Sequence, residues 1–146
     1  MANNKTKTGS TMILAKDIMT KNVISIKESM PIYEALMLLS KHKISGMPVV
    51  DDDNRVEGVL SEKDVLKIMV DSHLPARSVV GDYMSRDVIT FKEDDNVVTI
   101  CKFFMNSHIR RVPITRNQLL VGILSRRDIV QAIIEMRSKM DALRLA

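Results

Sequence analysis

Two stretches of this chain, GVLSEKDVLKI from Gly58 to Ile68 and GILSRRDIVQA from Gly122 to Ala132, spell one pattern: glycine, two aliphatics, serine, two charged residues, aspartate and a new aliphatic run. The duplication reaches further. DIMTKNVISIKESMPIYEAL from Asp17 is answered by DYMSRDVITFKEDDNVVTIC from Asp82, and KISGMPVVD from Lys43 by HIRRVPITR from His108, both at an offset of 65 positions. At the serine motif the offset is 64, so the second copy is one residue shorter in the turn matching Asp51 to Val56. Two copies of one unit therefore fill the chain from Ala15 onward, and each has too few strands to bury its own apolar faces. The fold this dictates is two half-domains packed sheet to sheet under pseudo-two-fold symmetry.

Each copy reads as α+β, in the order β-α-β-β-α. In the first, a helical turn around Asp17 to Met19 leads to a β-branched strand over 23–26. Pro31 suits the first turn of a helix that carries Ile32, Ala35, Leu36 and Leu39 on one face. Strands over 46–50 and 55–60 flank the turn-forming DDDN, and Ser61 caps a helix running to Asp71. The second copy repeats this with strand 88–91, helix 96–107, strands 111–115 and 119–124, and a long helix from Arg126. The expected organisation is a disordered polar tail over 1–14, a first repeat over 15–73, a linker over 74–81, and a second repeat over 82–146 ending in an extended helix.

Composition narrows the function classes. Cys101 is the one cysteine, so the chain builds no internal disulfide and no cysteine-based zinc cluster, and a reducing, cytoplasmic setting fits. The opening MANNKTKTGSTM lacks the apolar core of a signal peptide, and no run approaches the ~20 apolar residues that span a bilayer. The formal charge of +4 is mild, and two tyrosines, three phenylalanines and no tryptophan leave little for nucleobases to stack on. His42, His73 and His108 lack metal-ligand spacing and read as surface residues; Asp51 to Asp53 read as a hairpin turn rather than a cation site. Cys101 takes the position of Leu36 on an apolar helix face and reads as a packed thiol. With neither a phosphate-loop glycine motif nor a triad signature, no enzyme activity, metal or covalent cofactor is expected.

Ser-x-x-Asp before an apolar helical run is close to a capping box, in which the serine accepts from the amide three residues on and the acid reaches back. That reading suffices for one isolated copy. The pair of motifs, however, resembles those of cystathionine-β-synthase (CBS) domains: SGMPVVD with GVLSEKD, and RRVPIT with GILSRRD. The resemblance covers nearly everything after Ala15. It implies a CBS pair, or Bateman module, whose inter-repeat clefts hold adenosine-containing ligands and whose role is regulatory. It further implies that Asp64 and Asp128 accept hydrogen bonds from ribose hydroxyls, with Ser61 and Ser125 on the sugar or phosphate side.

Charge adds an argument of its own. Between Asp95 and Asp128 there is no acid, while Lys102, Arg110, Arg111, Arg116, Arg126 and Arg127 are cationic; the matching window Pro31 to Lys63 holds six acids and four bases. Lys102 and Arg116 read as a solvated face. On a strand, Arg110 and Arg111 alternate, so at least one of them points into the inter-repeat cleft, where guanidinium suits phosphate. Together with what the resemblance implies, which adds Arg127 to these cations, the expected first site is Ser61, Asp64, Val88, Ile89, Thr90, Arg110, Arg111 and Arg127. The expected second is Val23, Ile24, Ser25, Ser45, Gly46, Lys63, Ser125 and Asp128, with Ser45 and Gly46 in place of the arginines and so a weaker hold on phosphate.

The leading expectation is a homodimeric regulatory module sensing an adenine nucleotide, AMP, ADP or ATP, with S-adenosylmethionine a further candidate ligand and an unknown protein target downstream. The alternatives are a nucleic-acid-binding protein using the basic second repeat, and a purely structural dimerisation module.

Overall fold

The computed structural model describes residues 12–71 and 77–145. Most of the expected tail, His73 and part of the expected linker lie outside these. The first repeat contributes α1 (Ala15–Ile18), α2 (Ile32–His42), β1 (Gly46–Val50), β2 (Val56–Ser61), α3 (Glu62–Val65) and α4 (Lys67–Val70). After a 3-10 turn at Val80–Asp82, the second contributes β3 (Phe91–Lys92), α5 (Val97–Met105), β4 (Arg111–Arg116), β5 (Leu119–Ser125) and α6 (Arg126–Leu145).

The helices begin and end where local chemistry says they should. α2 starts after Pro31 and stops at Lys43, whose left-handed conformation (φ 52°) turns its N–H back onto the carbonyls of Leu39 and Ser40. Its buried residues Ile32, Ala35 and Leu39 pack with Ile26, Met47, Val49 and Leu60. α5 is capped by the Asn96 side chain, which accepts from the Val98 N–H, and buries Val97, Ile100 and Phe104. The helix expected from Ser61 to Asp71 is instead two short pieces, because three-residue bonds from Leu66 N to Lys63 O and from Met69 N to Leu66 O tighten the chain between them.

The opening strand of each repeat is shorter than its sequence suggests. In place of strand 23–26, only Ile26 pairs, in parallel with Val49; in place of 88–91, pairing begins at Phe91, opposite Ile114. Pro48 and Pro113 account for this. Ile26 donates to the Pro48 carbonyl and accepts from Val50, but Pro48 has no N–H to offer the residues upstream, so the ladder ends there. Residues 23–25 and 88–90 are left off the sheets, free to line clefts.

The two repeats exchange their leaders. Ala15 is fully buried among Ile100, Phe104, Val112, Ile114 and Leu124 of the second repeat, while Val80 and Tyr83 sit in the core of the first. Just beyond each leader, Thr20 pairs antiparallel with Ile123, and Ser85 with Val59. Each small sheet thus gains an outer rung from the other repeat. A third link joins the hairpin tips, where Arg55 pairs with Leu119 and Asn54 exchanges hydrogen bonds with Leu120. The tips also carry the one-residue offset: Asn117 and Gln118, both at positive φ, make a two-residue turn, whereas the longer DDDN turn uses Asn54 at φ 66°.

The exchange explains the motif glycines. A Cβ at Gly58 would stand 2.3 Å from the Ser85 carbonyl oxygen, and one at Gly122 would stand 2.9 Å from that of Thr20. Only a bare backbone lets the other repeat's leader cross there.

Candidate functional site

Both serine-aspartate junctions form the expected capping boxes at the start of their helices. Asp64 Oδ2 accepts from the Ser61 N–H (2.9 Å) and hydroxyl (3.0 Å), and Asp128 Oδ2 accepts from the Ser125 N–H (2.8 Å). In return, the Asp64 and Asp128 amides donate to the serine oxygens. The remaining oxygen of each carboxylate looks across the repeat boundary. Ser85 Oγ donates to Asp64 Oδ1 at 3.0 Å, and Thr20 Oγ1 to Asp128 Oδ1 at 3.2 Å. Each aspartate therefore caps a helix and latches the exchanged leader. Its second oxygen retains lone-pair capacity for a ligand hydroxyl. The latching hydroxyls were legible in the sequence only as a Thr20–Ser85 correspondence at the common offset.

Two clefts open beside these carboxylates. The Asp64 cleft, about 450 Å³, brings together Ser61, Asp64, Val88, Ile89, Arg110 and Arg111 of the expected first site, and adds Glu62, Ser85, Asp87 and His108. The Asp128 cleft, about 550 Å³, brings together Val23, Ile24, Ser45, Gly46, Ser125 and Asp128 of the expected second site, and adds Thr20, Asn22, Lys43 and Arg126.

Four expected residues are placed differently. Arg127 lines the Asp128 cleft rather than that of Asp64, and Lys63 lines the Asp64 cleft rather than that of Asp128. Each directly precedes the aspartate of its own repeat in the first turn of a helix, so it stays beside that carboxylate. Thr90 lines a third cleft at the hairpin tips, and Ser25 lines neither inter-repeat cleft. Only the first two residues of each off-sheet segment line the inter-repeat clefts.

The contrast expected between two arginines in one site and Ser45 with Gly46 in the other is not how the wall is built. All four residues line both clefts. Glu62 N donates to the Ser45 carbonyl, and Arg126 N to that of Arg110, which ties each serine-motif helix to this wall in the same way. Arg111 is half-buried and donates from Nη2 to Ser45 Oγ. Burial lowers its pKa from the ordinary value, opposed by the charges of Glu62 on one side and Asp128 on the other, and the guanidinium stays protonated. Arg126 is spent on the fold: its Nη2 donates to the carbonyls of Phe104 and Ser107, capping α5, with the guanidinium over the Phe104 ring. Arg116 pairs with Glu93 at the surface. Among the described residues, no side-chain hydrogen bond or ion pair engages Arg110, Arg127 or Lys43.

The remaining candidates have structural roles. Asp51 Oδ1 accepts from the N–H groups of Asp53 and Arg55, closing the hairpin turn. Cys101 is partly buried, which raises its thiol pKa and makes it a poor nucleophile. His108 is exposed but lines the Asp64 cleft rather than an empty face. Among the described residues, no cluster of histidine, cysteine and acidic side chains has the arrangement to hold a metal ion, and no helix is long and apolar enough to cross a membrane.

Comparison with known proteins matches the CBS domain twice, over residues 15–71 and 80–135. An uncharacterised protein of Methanocaldococcus jannaschii, MJ1225, is 29% identical over 118 residues; these cover 81% of this chain and 42% of that protein, so this chain spans less than half of it. Two solved structures share the fold at a TM-score of 0.75 and 28% identity. One is CBSX2 in complex with AMP, covering 85% of this chain and 98% of that one. The other is the CBS domain pair of protein MJ0100 in complex with 5′-methylthioadenosine and S-adenosyl-L-methionine, covering 86% and 99%.

Proposed function

The chain belongs to the CBS domain family, and on that premise we propose that it is a regulatory module, not an enzyme, that binds an adenosine-containing ligand between its two repeats. The observation that carries this reading is the pairing, in each cleft, of a carboxylate at a helix start with an off-sheet segment of the other repeat: Asp64 with Val88 and Ile89, Asp128 with Val23 and Ile24. A carboxylate accepts both hydroxyls of a ribose, and an unpaired extended segment offers an adenine ring apolar contact together with backbone N–H and C=O groups. The AMP complex of CBSX2 and the 5′-methylthioadenosine and S-adenosyl-L-methionine complex of MJ0100 support the same ligand class. Arg110, Arg111, Arg126 and Arg127 line a cleft rather than an open face, which suits a small anion better than a nucleic-acid backbone.

The module assembles as a homodimer in the reducing cytoplasm and acts on a protein target. Exposed apolar side chains on its helices, Tyr33 and Met37 on α2 and Ile133, Met136 and Met140 on α6, supply the dimer surface.

The test is a thermal-shift screen with AMP, ADP, ATP and S-adenosylmethionine. A ligand at about a hundred times its Kd stabilises the native state by ~2.7 kcal/mol, which for a chain of this length raises Tm by roughly 5–10 °C. No shift with any of the four, or binding only to nucleic acid with a steep salt dependence, overturns the reading.

A further inference from the structure

The clefts share one wall but differ in charge. The Asp128 cleft is lined by Lys43, Arg110, Arg111, Arg126 and Arg127 against the single acid Asp128. The Asp64 cleft is lined by Lys63 and the same Arg110 and Arg111, against Glu62, Asp64 and Asp87. One site is strongly cationic and the other is balanced. Lys43, Arg110 and Arg127 have no side-chain partner among the described residues, and like charges gathered at one mouth repel one another unless an anion sits between them. Asp128 alone does not neutralise them, because it sets one negative charge against five cations.

We propose that the Asp128 cleft takes an adenosine ligand carrying several phosphates, that the Asp64 cleft takes one carrying none, and that the shared arginines couple the two. This rests on the adenosine-ligand reading above and assigns the ligand class of each cleft. A polyphosphate entering beside Asp128 recruits Arg110 and Arg111 together with Lys43 and Arg127. Once the shared pair is engaged there, the Asp64 cleft keeps Lys63 against three acids and repels a second phosphorylated ligand. A neutral or cationic nucleoside is unaffected or favoured. Filling one cleft thus sets the selectivity of the other through the charge of the shared wall rather than by any change of fold.

The experiment is titration calorimetry with two probes, ATP and 5′-methylthioadenosine, on the whole chain. The wild type is expected to bind one ATP, and the ATP-saturated protein then to bind one 5′-methylthioadenosine, with AMP excluded or weakened in its place. Lys43→Gln combined with Arg127→Gln removes cations unique to the Asp128 cleft at exposed positions whose side chains make no hydrogen bond or ion pair among the described residues. The double variant should weaken ATP by roughly tenfold or more, since each phosphate contact is charge-assisted, and leave 5′-methylthioadenosine within about twofold. Lys63→Gln should leave ATP unchanged. Competition between ATP and 5′-methylthioadenosine for one site, or ATP lost in Lys63→Gln but kept in the double variant, overturns the charge assignment while leaving the adenosine reading intact. Failure of the wild type to bind any of these adenosine compounds overturns both.

Discussion

Replacing Gly58 with alanine tests whether the motif glycine exists to let the other repeat's leader cross β2. The new Cβ would stand 2.3 Å from the Ser85 carbonyl oxygen and 2.5 Å from the Met84 methyl carbon. The methionine can swing aside. The carbonyl is held, because Ser85 and Val59 bond to each other in both directions, at 2.9 and 3.0 Å. For the leader to retreat, these two bonds must lengthen or break, at about 0.5–1.5 kcal/mol each, on top of overpacking strain of typically ~1–3 kcal/mol. Gly58→Ala should therefore cost about 2–6 kcal/mol, a fall in Tm of roughly 5–20 °C for a chain of this length. Gly46→Ala is the internal control: its nearest non-adjacent atom, the Leu60 carbonyl oxygen, is 3.3 Å away, and small adjustments relieve the contact. Urea unfolding followed by circular dichroism reads both. A Gly58→Ala variant within about 0.5 kcal/mol of wild type, or one no worse than Gly46→Ala, would refute the account of the glycine.

Replacing Arg110 with serine and Arg111 with glycine should weaken AMP by roughly tenfold or more per arginine while leaving adenosine nearly unchanged; equal losses for both ligands in calorimetry would mean a repacked wall rather than a lost phosphate contact. Asp64→Ala should weaken 5′-methylthioadenosine by at least roughly tenfold, and undiminished affinity in a folded variant removes this carboxylate from the site. If the chain dimerises through α6 as proposed, Ile133→Glu with Met136→Glu should halve the mass read by light scattering, and an unchanged mass removes this face of α6 from the interface. The carboxyls of Glu28, Asp51 and Glu93 are held below their ordinary values, chiefly by hydrogen bonds from Arg86, the Arg55 N–H and Arg116. Depressed folded values mean that their stabilisation is present above the unfolded carboxylate pKa and is lost as pH falls; Glu57, raised by its hydrogen bond to Glu28, acts in the opposite sense. Arg86→Ala and Arg116→Ala should accordingly flatten the loss of urea stability on going from about pH 6 to pH 3, and an unaltered slope refutes the pairing.

What the chain announces in its sequence is whatever repeats or alternates locally. The duplicated Ser61-x-x-Asp64 and Ser125-x-x-Asp128 motifs, the apolar spacing of Ile32, Ala35 and Leu39, and the turn residues at both hairpin tips are contacts between near neighbours, and near neighbours leave a periodic trace. These local signals place the helices, the central strands and both carboxylates. The leader exchange left no such trace. It joins residues of different repeats, Thr20 with Ile123 and Ser85 with Val59, and its cue is a pair of glycines that a turn would explain equally well. The same limit governs the clefts. Alternation along a strand says that Arg110 and Arg111 face opposite ways, but at the start of β4, where the two repeats meet, both residues line both inter-repeat clefts. Which aspartate each cation serves is fixed by how two half-domains close on each other, and that depends on the packing of the whole molecule rather than on any stretch of the chain.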